Sequence, residues 1–190
     1  MEKLKIADTD ILVCVDMQRD FIDGALGSRA AQDIVSNVCC LLRAFKKAGS
    51  RVLLTRDVHP VRDKYPTVES IRVPTHCVKN TEGAGINSEI SLTIADYEDC
   101  HVYNKDGFMF LEWQNEIDPV KSTRIFICGL VTDICVISNA LALRSINPYT
   151  PMYCVADCCA GLTPEKHKAA LEVMKSCLID IATLDDIEGC

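Results

Sequence analysis

The run Ile11-Leu-Val-Cys-Val15, closed by Asp16, decides the fold. Five consecutive apolar residues are too few for a helix and do not alternate, which is the pattern of a β-strand covered on both faces. Beyond it, residues 28–48 place Ile34, Val38, Leu41, Leu42 and Phe45 at spacings of three and four, with Gly49 just past the end. That spacing predicts an amphipathic helix with a glycine C-cap. The alternation then repeats, with strands expected at 51–55, 101–103, 124–128, 151–156 and 178–183 and helices at 110–117, 133–146 and 164–177. Strands joined through helices must run parallel, because each crossover returns the chain to the same end of the sheet. The expectation is an α/β fold: one doubly wound, six-stranded, mostly parallel sheet with helices on both faces.

Composition agrees. The chain has 190 residues, 48% hydrophobic and 25% charged, so one domain over residues 1–190 can build its own core. Twenty basic against 27 acidic side chains give a net charge of −7, which repels phosphate backbones and anionic lipid, so neither nucleic acid nor a membrane is an expected partner. The apolar runs are too short to cross a bilayer, and Asp8 and Asp10 interrupt any leader-like segment, so the expected location is cytoplasmic. Of the twelve cysteines, Cys14, Cys128 and Cys154 sit inside apolar segments and no Cys-x-x-Cys pair occurs. They read as core thiols in a reducing compartment rather than as a disulfide or zinc scaffold.

In open parallel sheets, ligands bind outside the carboxyl ends of the strands. The first strand ends in Asp16, the second runs into Asp57, the third ends beside Lys105, and the fourth leads through Gly129-Leu-Val-Thr-Asp133 to Cys135. A single Asp or Lys at a strand end is ordinarily a solvated cap, and a single Cys among twelve a buried thiol. Together they form a nucleophile set. At the first turn of a predicted helix, Cys135 is expected to have a lowered pKa, with a carboxylate as base and a lysine to balance charge.

Residues 56–98 are the one long stretch expected to be irregular, and they carry a second cluster. Asp57 and His59 are two apart in an extended segment and so point the same way, and His76 follows nineteen residues after Asp57. Two imidazoles and a carboxylate suit a divalent ion, Zn, Mn or Fe, with positions left for water or substrate. The competing reading is of hydrogen-bonded surface histidines.

In order along the chain stand Val15-Asp-Met-Gln-Arg-Asp-Phe21, Thr55-Arg-Asp-Val-His-Pro60, Pro74-Thr-His-Cys-Val-Lys-Asn-Thr-Glu-Gly83, Lys105 and Gly129-Leu-Val-Thr-Asp-Ile-Cys-Val136. These motifs resemble the nicotinamidase branch of the isochorismatase-like cysteine hydrolases, over most of the chain. The resemblance implies a Rossmann-like fold, Asp16 as general base, Lys105 as the third member of the triad and Cys135 as nucleophile. It also implies a cis peptide joining Val131 and Thr132, with the N–H groups of Thr132 and Cys135 facing the oxyanion. Asp57, His59 and His76 would hold a divalent metal, most simply zinc, that docks a pyridine nitrogen, and no redox cofactor is needed. The implied reaction is nicotinamide plus water to nicotinate and ammonia through a Cys thioester, in NAD salvage, by a homo-oligomer.

The chain departs from that branch in places. Val73 stands where an aromatic residue usually flanks the pyridine ring, and Tyr65 where some members carry another histidine ligand. The segment after Lys105 is short and lacks the usual Tyr-Ser-Ala-Phe, so Phe21 with Phe108, Phe110 or Trp113 are the candidates for the substrate wall. Three other readings stand beside it: a sister hydrolase acting on another small amide, ureido or carbamoyl compound; non-haem iron oxygen chemistry at Asp57, His59 and His76, which would leave Asp16, Lys105 and Cys135 without a purpose; and a catalytically silent binding or thiol-redox protein.

Overall fold

A computed structural model describes residues 3–61, 66–118 and 123–190. Six parallel strands form one sheet: β1 (Ile11–Val15), β2 (Arg51–Asp57), β3 (Cys100–Lys105), β4 (Ile125–Leu130), β5 (Met152–Ala160) and β6 (Asp180–Ala182). Their spatial order is β3-β2-β1-β4-β5-β6, so the chain winds outward in both directions from the β1–β4 junction. Such a junction is where two crossovers leave on opposite faces and open a crevice at the carboxyl ends of the strands. Every residue of β1 and β4 is buried, as their unbroken apolar runs require. Gly129 sits opposite Val15 at φ 117°, and a Cβ there would come within 2.1 Å of the Val15 carbonyl oxygen, so only glycine lets β4 lie this close to β1.

The helices among the described residues are α1 (Arg19–Ile22), α2 (Arg29–Asp33), α3 (Val35–Ala48), α4 (Val68–Arg72), α5 (Ser88–Ile94), α6 (Trp113–Glu116), α7 (Ile137–Ile146) and α8 (Pro164–Ser176). The helix expected at 28–48 is two helices. Ser28 caps the first through the Ala31 N–H, and the chain breaks at Ile34, whose own N–H turns back to Gln32 instead of continuing the ladder. α3 then buries Val38, Leu41, Leu42 and Phe45 and ends at Gly49, φ 75°, as the spacing predicts.

Three further expectations change. Residues 56–98 are not wholly irregular, since α4 and α5 lie within them. The helix expected at 110–117 shrinks to one turn, because residues 108 and 110 are bound by a side chain of α7 instead of by each other. The helix expected from 133 opens with a wide π-helical turn, Thr132–Val136, before α7 begins. Among the described residues no helix is long and apolar enough to cross a membrane.

Candidate active site

Strand register does most of the assembly. Asp57 and Lys105 end β2 and β3 directly opposite one another, and Asp16 follows the last residue of β1. Asp16 takes up φ 48°, and its carboxylate accepts a hydrogen bond from Thr55 Oγ1 at 2.7 Å. Lys105 Nζ lies 2.7 Å from Asp16 Oδ2, 3.7 Å from Cys135 Sγ and 3.8 Å from Asp57 Oδ1, and donates to the Gly107 carbonyl at 2.9 Å. Asp16, Lys105 and Cys135 are thus brought together, all buried.

Burial pushes the Asp16 carboxyl above its ordinary value, with the Lys105 ammonium pulling the other way. Burial acts against the charge of Lys105 too, but Asp16, Cys135 and Asp57 around it raise its pKa overall. Cys135 corrects the expectation of a lowered pKa. Burial and the neighbouring Asp16 carboxylate raise it well above the ordinary thiol value, outweighing Lys105. The group is a resting thiol beside a carboxylate of enhanced basicity, a pair suited to proton transfer at the moment of attack.

The second cluster forms because loop backbones pair. The His59 N–H donates to Cys77 O at 2.9 Å, and the Lys79 N–H to His59 O at 2.8 Å, which lays residues 77–79 along the end of β2. Gln18 clamps Asp57 from both sides, Nε2 to its carbonyl at 2.8 Å and Oε1 to its N–H at 2.7 Å. Asp20 Oδ2 accepts the Cys77 N–H at 2.7 Å, and a Cβ on Gly83 would strike that carboxylate at 2.2 Å. His59 Nε2 and His76 Nε2 then stand 3.3 Å apart, at 2.9 and 3.4 Å from Asp57 Oδ2, and Glu69 Oε1 lies 3.7 Å from His76.

These four side chains offer possible ligand atoms within 4.8 Å of one another, so Glu69 of α4 joins the three candidate ligands read from sequence. The set fits a divalent metal on its own chemistry. His76 Nδ1 lies 2.8 Å from the Pro74 carbonyl, a contact that requires the proton on Nδ1 and turns the Nε2 lone pair inward. Asp57 Oδ1 is buried without a hydrogen-bond partner. Ligands tetrahedrally bonded at about 2.0–2.1 Å sit about 3.3 Å apart, close to the spacings here. Burial alone would raise Asp57, yet the His76 hydrogen bond and the nearby cations hold it below its ordinary value, while His76 is raised despite its burial by bonding Asp57.

The wall candidates divide. The Phe21 ring lies 5.5 Å from His76, beside the ligand set. Val73 lines a 140 Å³ cavity with His59, Glu69 and His76, and shares a cleft with Phe108 and Gly107. Phe108 and Phe110 line a 470 Å³ cavity that includes Lys105. Trp113 is corrected: it is 1% exposed, packed against Phe110 and Tyr103, and belongs to the core. The cis peptide is also corrected, since it joins Leu130 to Val131, one bond before the expected place. Val131 and Thr132 nonetheless open the turn that carries Cys135, and the buried Thr132 hydroxyl bonds His167 Nδ1 at 2.8 Å. Tyr65 lies outside the described residues.

A protein-family model described as the Isochorismatase domain matches residues 10–186. The chain belongs to the isochorismatase-like family. Within that family it is 31% identical over 177 residues to the nicotinamidase of Saccharomyces cerevisiae, covering 72% of this chain and 82% of that protein. The fold superposes with a TM-score of 0.78 on the pyrazinamidase of Pyrococcus horikoshii in complex with zinc, at 31% identity over 92% of this chain and 99% of that one. For the Bacillus subtilis nicotinamidase the TM-score is 0.81 at 25% identity, covering 92% and 99%. This isochorismatase-like protein is therefore an amidohydrolase of the nicotinamidase branch.

Glu69, Gln18, Asp20 and Asn139 contact the two clusters or the segment beside them and are not singled out by the sequence reading. Gln18 and Asp20 stand inside a quoted motif, and Asn139 is a polar residue four after Cys135 on an apolar helix, a signal that the sequence does carry. Glu69 has none, being one acid in a short polar helix.

Proposed function

We propose that this protein hydrolyses nicotinamide to nicotinate and ammonia through a thioester on Cys135. The observation that carries the reading is the position of Lys105, which touches Asp16, Cys135 and Asp57 at once and so joins the nucleophile set to the ligand set. A substrate with a carboxamide at one end and a ring nitrogen at the other matches two sets so placed. A divalent ion held by Asp57, His59, Glu69 and His76 would supply a Lewis-acid docking point for that nitrogen.

Asp16 takes the proton of the Cys135 thiol as sulfur bonds to the carboxamide carbon, and the carbonyl electrons move to oxygen. Backbone N–H groups of the turn that begins at Thr132 and holds Cys135 stabilise that oxyanion, and the Lys105 ammonium offsets the charge of the site. The C–N bond breaks as Asp16 passes its proton to the leaving nitrogen, giving ammonia. Water then loses a proton to Asp16 while adding to the thioester. The C–S bond breaks, and the proton returns to sulfur. Nicotinate produced in this way feeds re-use of the pyridine ring for NAD.

Twelve free thiols suit a reducing compartment, and the cytoplasm is the location we infer. A homo-oligomer is part of the same reading and is checked by light scattering. Val73 favours a second reading, a different small amide, because it gives the ring an aliphatic neighbour where the branch usually has an aromatic one. An amide panel run on reduced, zinc-loaded protein separates the two: nicotinamide as the best substrate supports the first, and a carbamoyl or aliphatic amide as the best supports the second.

A further inference from the structure

Asn139, one turn beyond Cys135 in α7, is fully buried. An asparagine amide has two donor hydrogens and two acceptor lone pairs, and here all four are used. Nδ2 donates to the Cys135 carbonyl at 2.8 Å and to the Phe108 carbonyl at 3.2 Å. Oδ1 accepts from the Phe110 N–H at 3.0 Å and from Trp113 Nε1 at 2.9 Å. Two carbonyls on one side and two N–H groups on the other leave only one orientation for the amide.

One partner belongs to the nucleophile residue. The other three belong to the segment that walls the cavity beside Lys105 and to the helical turn that follows it. Residues 106–112 have no helix or strand of their own, and Phe108 is 48% exposed, so apart from the Phe110 ring little packing places them. The anchors of this segment are polar: Lys105 holds the Gly107 carbonyl, and Asn139 holds Phe108 and Phe110. The Phe110 ring is then wedged against Tyr103 and Trp113, with centroids 4.9 and 5.0 Å away.

We propose that Asn139 is a specificity-setting positioning residue, fixing the Phe108–Phe110 wall in register with Cys135 so that ring-bearing amides are held against the nucleophile. This rests on the amide-hydrolysis reading above. A single rigid side chain bonded to both elements makes a displacement of the wall a displacement relative to the thiol.

The test compares zinc-loaded wild type with Asn139→Asp, which keeps acceptors for Phe110 and Trp113 but loses both donors, and Asn139→Leu, which loses all four bonds at similar volume. Hydrogen exchange of residues 106–112 needs no substrate, and it is expected to speed up in both variants by about tenfold or more, while β1 and β4 stay protected. In steady-state hydrolysis of nicotinamide, KM should rise about tenfold with kcat within about threefold, the mark of lost binding rather than lost chemistry. Iodoacetamide, too small to need the wall, should alkylate Cys135 at a rate within about twofold of wild type. Unchanged exchange at 106–112 overturns the proposal, as does a fall in kcat and alkylation with KM unmoved. Failure of the wild type to cleave nicotinamide defeats the proposed function alone, since the exchange result still decides whether Asn139 holds the wall. Where Asn139→Leu does not fold, Asn139→Asp decides.

Discussion

The carboxyl ends of β1 and β4 and the connections that flank β3 face the same crevice but are built in different ways. Asp16 and the turn to Cys135 issue from strands buried along their whole length, so their separation follows from the sheet register. His59, Glu69, His76, Phe108 and Phe110 lie outside the strands. Besides the backbone pairing of His59 with residues 77–79, single side chains bonded to backbone fix this half: Gln18 on Asp57, Asp20 on Cys77, Asn139 on residues 108 and 110. In the proposed reaction the rigid half carries the reacting groups. The stapled half carries those that would choose and hold a substrate, and its geometry is expected to change when one staple is changed.

The largest expected effect falls on the rigid half. Cys135→Ala should lower amide hydrolysis by about 10⁴-fold or more, with the fold intact by circular dichroism, because no other group can form the thioester. Residual turnover within tenfold of wild type would put the chemistry elsewhere. Asp16→Asn should cost about 10²–10⁴-fold in kcat. The same carboxylate sets a pH dependence. It works only when deprotonated, and its pKa in the folded protein is raised above the ordinary 3.8, so kcat/KM should fall with decreasing pH along a limb that lies above that value. A limb at or below 3.8 would show that Asp16 is not the base.

The stapled half should respond more mildly. Gln18→Ala leaves every ligand side chain in place but releases the Asp57 backbone, and zinc affinity measured by chelator competition should weaken about 10- to 100-fold. Unchanged affinity would mean that the loops hold Asp57 without the clamp. Val73→Phe should lower KM for nicotinamide about three- to tenfold by adding a ring contact of about 0.5–1.5 kcal/mol. A rise in KM would instead show that the cleft already fits its substrate.

The same contrast explains what can be read from the chain. Unbroken apolar runs specify the buried strands β1 and β4, and the carboxyl end of a parallel strand is at the crevice by construction, which is why Asp16, Asp57, Lys105 and Cys135, at strand ends or in the turn after one, are legible in the sequence itself. Asp57 and His59 are legible through the two-residue repeat of an extended segment. Glu69 is not, because the contact of α4 with His76 depends on a loop path that has no period. Trp113 misleads for a related reason. Its aromatic character suits a substrate wall, but its N–H is satisfied inside the core by Asn139, a partner 26 residues away. A place at a helix start predicts an acidified Cys135 thiol, and burial beside a carboxylate reverses that sign.

Ammonia release from nicotinamide by reduced, zinc-loaded protein, set beside Cys135→Ala and a chelator-stripped sample, tests the central claim most directly. The expected result is release that disappears with the thiol and falls on stripping. Absence of release from the loaded wild type, or release that persists in Cys135→Ala, would contradict it.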